Sequence, residues 1–320
     1  WFALYVFTPS PGMENRIVDI PKGAGVRQIQ TILAREKIIA DDIRFLALAR
    51  LFHVIDHPPR LRAGEFEVPQ GTPLEVIRFL DTARPVRHRV TIPEGKRMTE
   101  VAALFAEDGW VETATFLRLC QDASFLKELG VAAPSSEGYL FPETYTLVRG
   151  EVDEWKLITT MVERFFAVWQ ELTDPESAQR KGREMEYTQH QLLTLASIVE
   201  KETGSAGERD VIAGVFYNRL EKGMRLQSDP TTIYGIENFN GNLTKADLEQ
   251  WTPYNTYVIP GLPPGPICNP GAAAIKAVLQ PATVPYLYFV SRNDGSHYFS
   301  ENLSEHNRAV YKFQKLRKNR

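Results

Sequence analysis

Apolar positions recur at two spacings along the 320-residue chain, and the changes of spacing mark its elements. Val18-Asp-Ile-Pro-Lys-Gly23 alternates and then turns; Val26, Ile29, Ile32 and Leu33 follow at the three-to-four spacing of an amphipathic helix. The unit recurs as Val90-Thr-Ile-Pro-Glu-Gly95, followed by Met98, Val101, Leu104 and Phe105. A third copy reads Phe66-Glu-Val-Pro-Gln-Gly71, then Leu74, Ile77 and Leu80. Each copy predicts a strand, a Pro-x-Gly turn and a helix. With a further helix over about Asp41–Val54, residues 16–84 read as a β-α-α-β unit.

Beyond it the pattern predicts a strand at Arg87–Ile92 and helices at Met98–Asp108 and Thr115–Leu129. Glu137–Tyr145 is rich in turn residues and aromatics, Trp155–Leu172 is a long amphipathic helix, and Asp174–Glu186 is a polar linker. A helix over Glu208–Lys222 precedes Asp229-Pro230, which reads as N-cap and first residue of the next helix. Tyr254–Tyr257 and the Pro/Gly-rich Gly261–Ile267 form a rigid loop, suited to wall a polar ligand. A helix from Pro270 to Leu279, a hairpin over Tyr286–Ser300 turning at Asn293-Asp-Gly295, and a last helix complete the chain. The fold class is α+β. Residues 1–15 read as the end of a membrane anchor and a linker, 16–84 as a small domain, and 85–320 as a larger, mainly helical α+β domain.

Between Thr188 and Gly204 the pattern changes character. Thr188 and Gln191 make a capping box, Gly204 supplies a helix stop, and Leu192, Leu193, Leu195, Ala196, Ile198 and Val199 are apolar nearly all round. Thr194, Ser197 and Lys201 form its one polar stripe, and Glu200 lies beside that stripe. Burial and the negative end of the helix dipole favour an un-ionised carboxyl, the form a general acid needs. A glutamate that merely reaches water from a helix end is the structural alternative. Glu202, two residues on, points roughly the other way.

Composition narrows the classes. Hydrophobic content of 43% and charged content of 24% are those of a globular protein, and a net charge of −3 gives no footing for nucleic acid. The basic residues near the end (Lys312, Lys315, Arg317, Lys318, Arg320) complement the dipole of the last helix. No His or Cys pair has metal-ligand spacing, and no nucleotide or nucleophile-elbow motif is present. Cys120 and Cys268 neither define a disulfide framework nor exclude an oxidising compartment. His297 and His306 fit surface or capping roles. Trp1–Phe7 is too short to span a bilayer, but Trp1 and Tyr5 suit the outer end of a membrane anchor, followed by a linker containing Pro9, Pro11 and Gly12. A buried N-terminal strand is the alternative.

Two resemblances add to this reading. The order of residues 16–84 resembles the LysM glycan-binding module. From Glu137 onward, EGYLFPETY, ASIVEKETG, ERDVIAGVFYNRLEKGMRLQSDPTTIYG, PYNTYVIPGLPPGPICNPG and YLYFVSRNDGSHYFSENLSEHN resemble the endolytic murein transglycosylase, or YceG-like, family. Many members carry Asp where this chain has Glu143. The resemblance implies a single-pass protein of the bacterial inner membrane, held by an N-terminal helix, with its catalytic part outside the cytoplasm. It would cleave the MurNAc–GlcNAc β-1,4 bond of nascent peptidoglycan and leave 1,6-anhydro-MurNAc ends, without metal or cofactor. The glycan strand is the implied partner, with peptidoglycan synthases beside it. The family's catalytic glutamate falls on Glu200 in this reading. Gln227, Asp229, Tyr254, Asn255, Thr256, Glu137 and Tyr139 are the substrate-positioning candidates, with Asp229 also explained by capping. A water-using muramidase and a non-catalytic peptidoglycan-binding scaffold are the competing functions.

Overall fold

The computed structural model describes residues 2–9, 15–55, 63–174, 187–202, 205 and 207–315. Trp1, Pro11, Gly12, nearly all of the 174–186 linker, Gly204 and the last basic residues lie outside them. The chain opens with a short helix, α1 (Phe2–Phe7), which buries Tyr5 and Val6. Strand β1 (Arg16–Ile20) is followed by helices α2 (Val26–Arg35) and α3 (Arg44–Ile55), then by β2 (Gly64–Val68) and α4 (Pro73–Thr82). The two strands pair antiparallel with Val18 opposite Phe66, so their alternate apolar residues share one face. Ile29 and Leu33, Phe45 and Leu48, and Val76, Ile77 and Leu80 cover that face. Helix α4 starts on a Thr72–Glu75 capping box with Pro73 in its first turn, where a missing N–H costs nothing. Contacts gather residues up to Val90, together with Thr144–Asp153, into this first unit.

Strand β3 (His88–Thr91) leads to α5 (Met98–Glu107). The single helix expected over Thr115–Leu129 is two, α6 (Thr113–Leu119) and α7 (Ala123–Glu128). The break follows from Asp122, whose carboxylate accepts the Phe125 N–H at 2.8 Å and caps a new helix. Strand β4 (Thr144–Leu147), paired with β3, emerges from the stretch read as turns.

The second unit comprises Thr91–Glu143 and Glu154 onward. It contains α8 (Glu154–Thr173), α9 (Gln189–Glu202), α10 (Arg209–Glu221), α11 (Asp229–Tyr234), α12 (Lys245–Glu249) and α13 (Ala272–Leu279). Helix α9 is its centre and packs on α10, α11 and α13. The reciprocal bonds expected of its cap are present: Thr188 N–H to Gln191 Oε1 at 2.9 Å, and Gln191 N–H to Thr188 Oγ1 at 3.3 Å. The hairpin β5 (Tyr288–Ser291) and β6 (His297–Ser300) turns through Asn293 and Gly295, both at positive φ. Helix α14 (Leu303–Val310) follows and runs into one wide turn at Tyr311–Lys315.

Candidate active site

The polar stripe of α9 does not open onto a cleft. Thr194 and Ser197 are buried and donate to the carbonyls of His190 and Thr194, each at 2.7 Å. Small hydroxyls can be buried in this way because their own helix supplies the acceptor. Ser197 Oγ in turn accepts the Ile267 N–H at 3.0 Å, so the stripe faces packed chain. Glu200 lies at the end of this contact with its side chain only 7% exposed. Its carboxylate accepts the Gly271 N–H at 3.1 Å and Arg209 Nη2 at 3.4 Å. Arg209 also stands 4.0 Å from Glu94, whose pKa is raised by burial and by the negative charge of Glu200. A Cβ at Gly271 would fall 1.8 Å from Glu94 Oε1, so a larger residue there would push the Glu94 carboxylate aside. Lys201 turns away to the Gly95 carbonyl, at 3.3 Å. Glu200 thus closes an ion-paired corner.

Glu202 faces a different space, a cleft of about 710 Å³ that it lines with Arg219, Gln227, Asp229, Tyr257 and Tyr288. His297 and His306 stand on the same wall rather than at the outer surface. Ser228 Oγ donates to Glu202 Oε1 at 2.5 Å. Burial pushes the Glu202 carboxyl up to about 7; the Ser228 bond opposes the rise, the Asp229 charge adds to it, and Arg219 opposes it. A carboxylic acid that holds its proton to near neutral pH, beside open space, has what general-acid catalysis demands.

The remaining candidates separate by burial. Gln227 and Asp229 are exposed at the cleft. Gln227 is held at φ 50, a region that costs an L-residue energy and is common near functional sites. Asp229 is not the cap expected of it. Helix α11 begins at Asp229 with Ser228 in the cap position, and the Asp229 carboxylate accepts the Tyr257 hydroxyl at 2.6 Å.

Asn255 and Thr256, expected in an exposed loop wall, are fully buried. Asn255 Nδ2 donates to the carbonyls of Asp247, Leu248 and Gln250, while its Oδ1 accepts from Thr232 and the Tyr257 N–H. Thr256 Oγ1 accepts the Ser228 N–H at 3.0 Å and bonds Thr231 at 2.8 Å. The last carbonyls of a helix lack intrahelical donors, and the two N–H groups of the Asn255 amide reach those at the end of α12, sharing the Asp247 carbonyl with the Gln250 N–H.

Tyr254 is half-buried, with its ring 4.7 Å from Tyr234. Glu137 is buried and accepts from Met98 N–H, Tyr234 Oη and Asn269 Nδ2; burial raises it to about 7. Tyr139 is a core residue whose hydroxyl bonds His190 Nδ1 at 3.0 Å, and His190 Nε2 reaches the Pro264 carbonyl. Since the Pro264 carbonyl can only accept, His190 Nε2 is the donor in that bond. Beside it, a Cβ at Gly138 would stand 2.5 Å from Pro266, and its φ is +89. Glu143 pairs with Arg164 at 2.8 and 3.1 Å. Cys120 and Cys268 are buried free thiols. Among the described residues no group of three or more His, Cys, Asp or Glu side chains could hold a metal ion.

Arg219, Tyr257 and Tyr288 were not singled out by sequence reasoning. A trace of the first exists in the sequence: Arg219 interrupts the buried run of Ile212, Val215, Phe216 and Tyr217 on α10. The YceG-like family model matches residues 18–312. The chain belongs to the YceG-like family. An endolytic murein transglycosylase of Bacillus subtilis is 30% identical over 92% of this chain and 84% of its own length. One from Streptococcus pneumoniae is 29% identical over 92% of this chain, which spans 57% of that protein. The crystal structure of a YceG-like protein from Listeria monocytogenes superposes with a TM-score of 0.61 at 31% identity, covering 92% of this chain and 98% of that one.

Proposed function

We propose that this YceG-like chain is an endolytic murein transglycosylase whose acid is Glu202, not Glu200. The observation that carries the assignment is the position of Glu202: a carboxyl raised to about 7, on the wall of a cleft large enough for sugar rings. Glu200 is occupied by Arg209 and the Gly271 amide. The glycan lies in the cleft with the oxygen joining MurNAc C1 to GlcNAc against Glu202. Glu202 gives its proton to that oxygen as the C1–O bond breaks. Its carboxylate then takes the proton of the muramyl 6-hydroxyl, whose oxygen bonds to C1. The product is a 1,6-anhydro ring, Glu202 ends protonated, and no water is consumed. Holding the hydroxyl against C1 is what makes ring closure outrun hydrolysis.

One observation favours a second reading. Asp229 is a second carboxylate in the same cleft, and paired carboxylates are the apparatus of hydrolytic glycosidases. Mass spectrometry of digested glycan separates the two: transglycosylase products are one water lighter than those of a muramidase. Reducing-end products alone would replace the first reading with the second.

The antiparallel β1–β2 pair with two helices between its strands supports a LysM-like, glycan-binding role for residues 16–84. Deleting them is expected to weaken sedimentation with polymeric peptidoglycan while the rest stays folded; unchanged sedimentation reduces the unit to a spacer. Family membership is the support for a single-pass protein acting outside the inner membrane beside peptidoglycan synthases, which fractionation and cross-linking in cells would check. Among the described residues no helix is long and apolar enough to cross a membrane.

A further inference from the structure

Arg219 is a buried cation with one nitrogen left over. The residue is 7% exposed, and its side chain braces three parts of the second unit. Nε donates to the Leu287 carbonyl at 2.6 Å. Nη1 donates to the carbonyls of Leu226 at 2.8 Å and Arg225 at 3.2 Å, and lies 3.5 Å from Gln227 Oε1. The guanidinium stands over the Tyr288 ring, 5.1 Å from its centre. Those bonds use Nε and Nη1 and none uses Nη2, and Arg219 lines the cleft that holds Glu202. Guanidinium N–H groups are obligate donors, so a ligand that displaces solvent from Nη2 must supply an acceptor or lose free energy. The four braces also fix the fork before any ligand arrives, so little side-chain entropy remains to be lost on binding.

We infer that Arg219 Nη2 is a substrate-binding donor that grips a carbonyl-type oxygen of the glycan next to the bond being cut. Two oxygens of a muramyl-containing strand have this chemistry, that of the 2-acetamido group and that of the lactyl group. The inference rests on Glu202 marking the reaction centre. It adds a specificity element, because a saccharide without such an oxygen would leave the Nη2 protons unpaired and be rejected.

The test uses the full chain carrying Glu202→Gln, so that glycan binds without being cut, with the Arg219 side-chain nitrogens followed by NMR. Three probes are titrated: a glucosamine tetramer with neither carbonyl, chitotetraose with acetamido groups alone, and a GlcNAc–MurNAc oligomer with both. A shift of Nη2 with chitotetraose assigns the acetamido oxygen. A shift with the muramyl oligomer alone assigns the lactyl oxygen. In either case the glucosamine tetramer leaves Nη2 unmoved. Arg219→Lys is expected to weaken binding of the effective probe by about 10- to 100-fold, the scale of a hydrogen bond to a charged group. Because that variant also loses backbone braces and can fail to fold, the NMR result on the intact arginine decides. Shifts at Gln227 without any at Nη2 overturn the inference. So do Nη2 shifts that follow pH in the Glu202 protein but not glycan in the variant, since Nη2 would then serve the carboxylate. If Glu202→Gln still turns substrate over, the underlying choice of acid fails instead, and the two failures are told apart.

Discussion

Glu202→Gln is expected to lower turnover by about 10²- to 10⁴-fold, the usual contribution of a general acid, with glycan binding retained. The amide keeps the size of the side chain and can accept the Ser228 hydroxyl, but it cannot release a proton to the leaving oxygen. One group serves both half-reactions here, which places the loss toward the upper end. Relative to the wild type, stability should rise as pH climbs from about 4.5 to about 7 and hold a constant gain above that, because the wild-type carboxyl ionises more readily unfolded than folded and the amide does not ionise. The wild-type enzyme should lose activity as pH climbs through about 7, since the acid form is then depleted. Glu200→Gln should keep most of its turnover and show a lower Tm, because it weakens a nearly buried pair with Arg209. Steady-state rates with melting curves for both variants check this. A dead, fully stable Glu200→Gln beside an active Glu202→Gln would return the acid to Glu200.

Asn255→Ala should cost about 3–4 kcal/mol of stability, seen as a marked fall in Tm. The side chain is fully buried, donates to three carbonyls and accepts two protons. Alanine removes all five bonds, leaves only the Asp247 carbonyl with another donor, the Gln250 N–H, and opens a small void. Activity should fall only in step with the folded fraction, because no atom of Asn255 reaches the cleft. Full stability with lost activity would put the residue back in contact with substrate.

Much of the fold was legible in the sequence, because local rules govern it. Period-2 and period-3.6 patterns located β1, β2 and most helices, and the Thr188–Gln191 signature fixed the start of α9. The Asn-Asp-Gly turn marked the hairpin. Each of these signals is settled within a few residues of chain, which is why they survive folding. Asp122 was also local, but a helix pattern running through it hid its capping role.

The motifs around α9 were enough to give the family, but the reading of the sequence placed the acid on Glu200, where the proposal from the structure is Glu202. What the sequence could not decide is which glutamate meets open space. Thr194 and Ser197 mimic a solvated stripe, and only tertiary packing reveals that their hydroxyls are satisfied by their own helix and by Ile267. Arg209 and Arg219 come from α10, Ser228 from the cap of α11 and Gly271 from the start of α13, so the ion pair at Glu200 and the cleft at Glu202 exist only once those segments meet α9. The same holds for Asn255: its polarity was plain in the sequence, but the unpaired carbonyls that draw it inward belong to the end of α12. Polarity is a property of a residue, whereas exposure is a property of its neighbours.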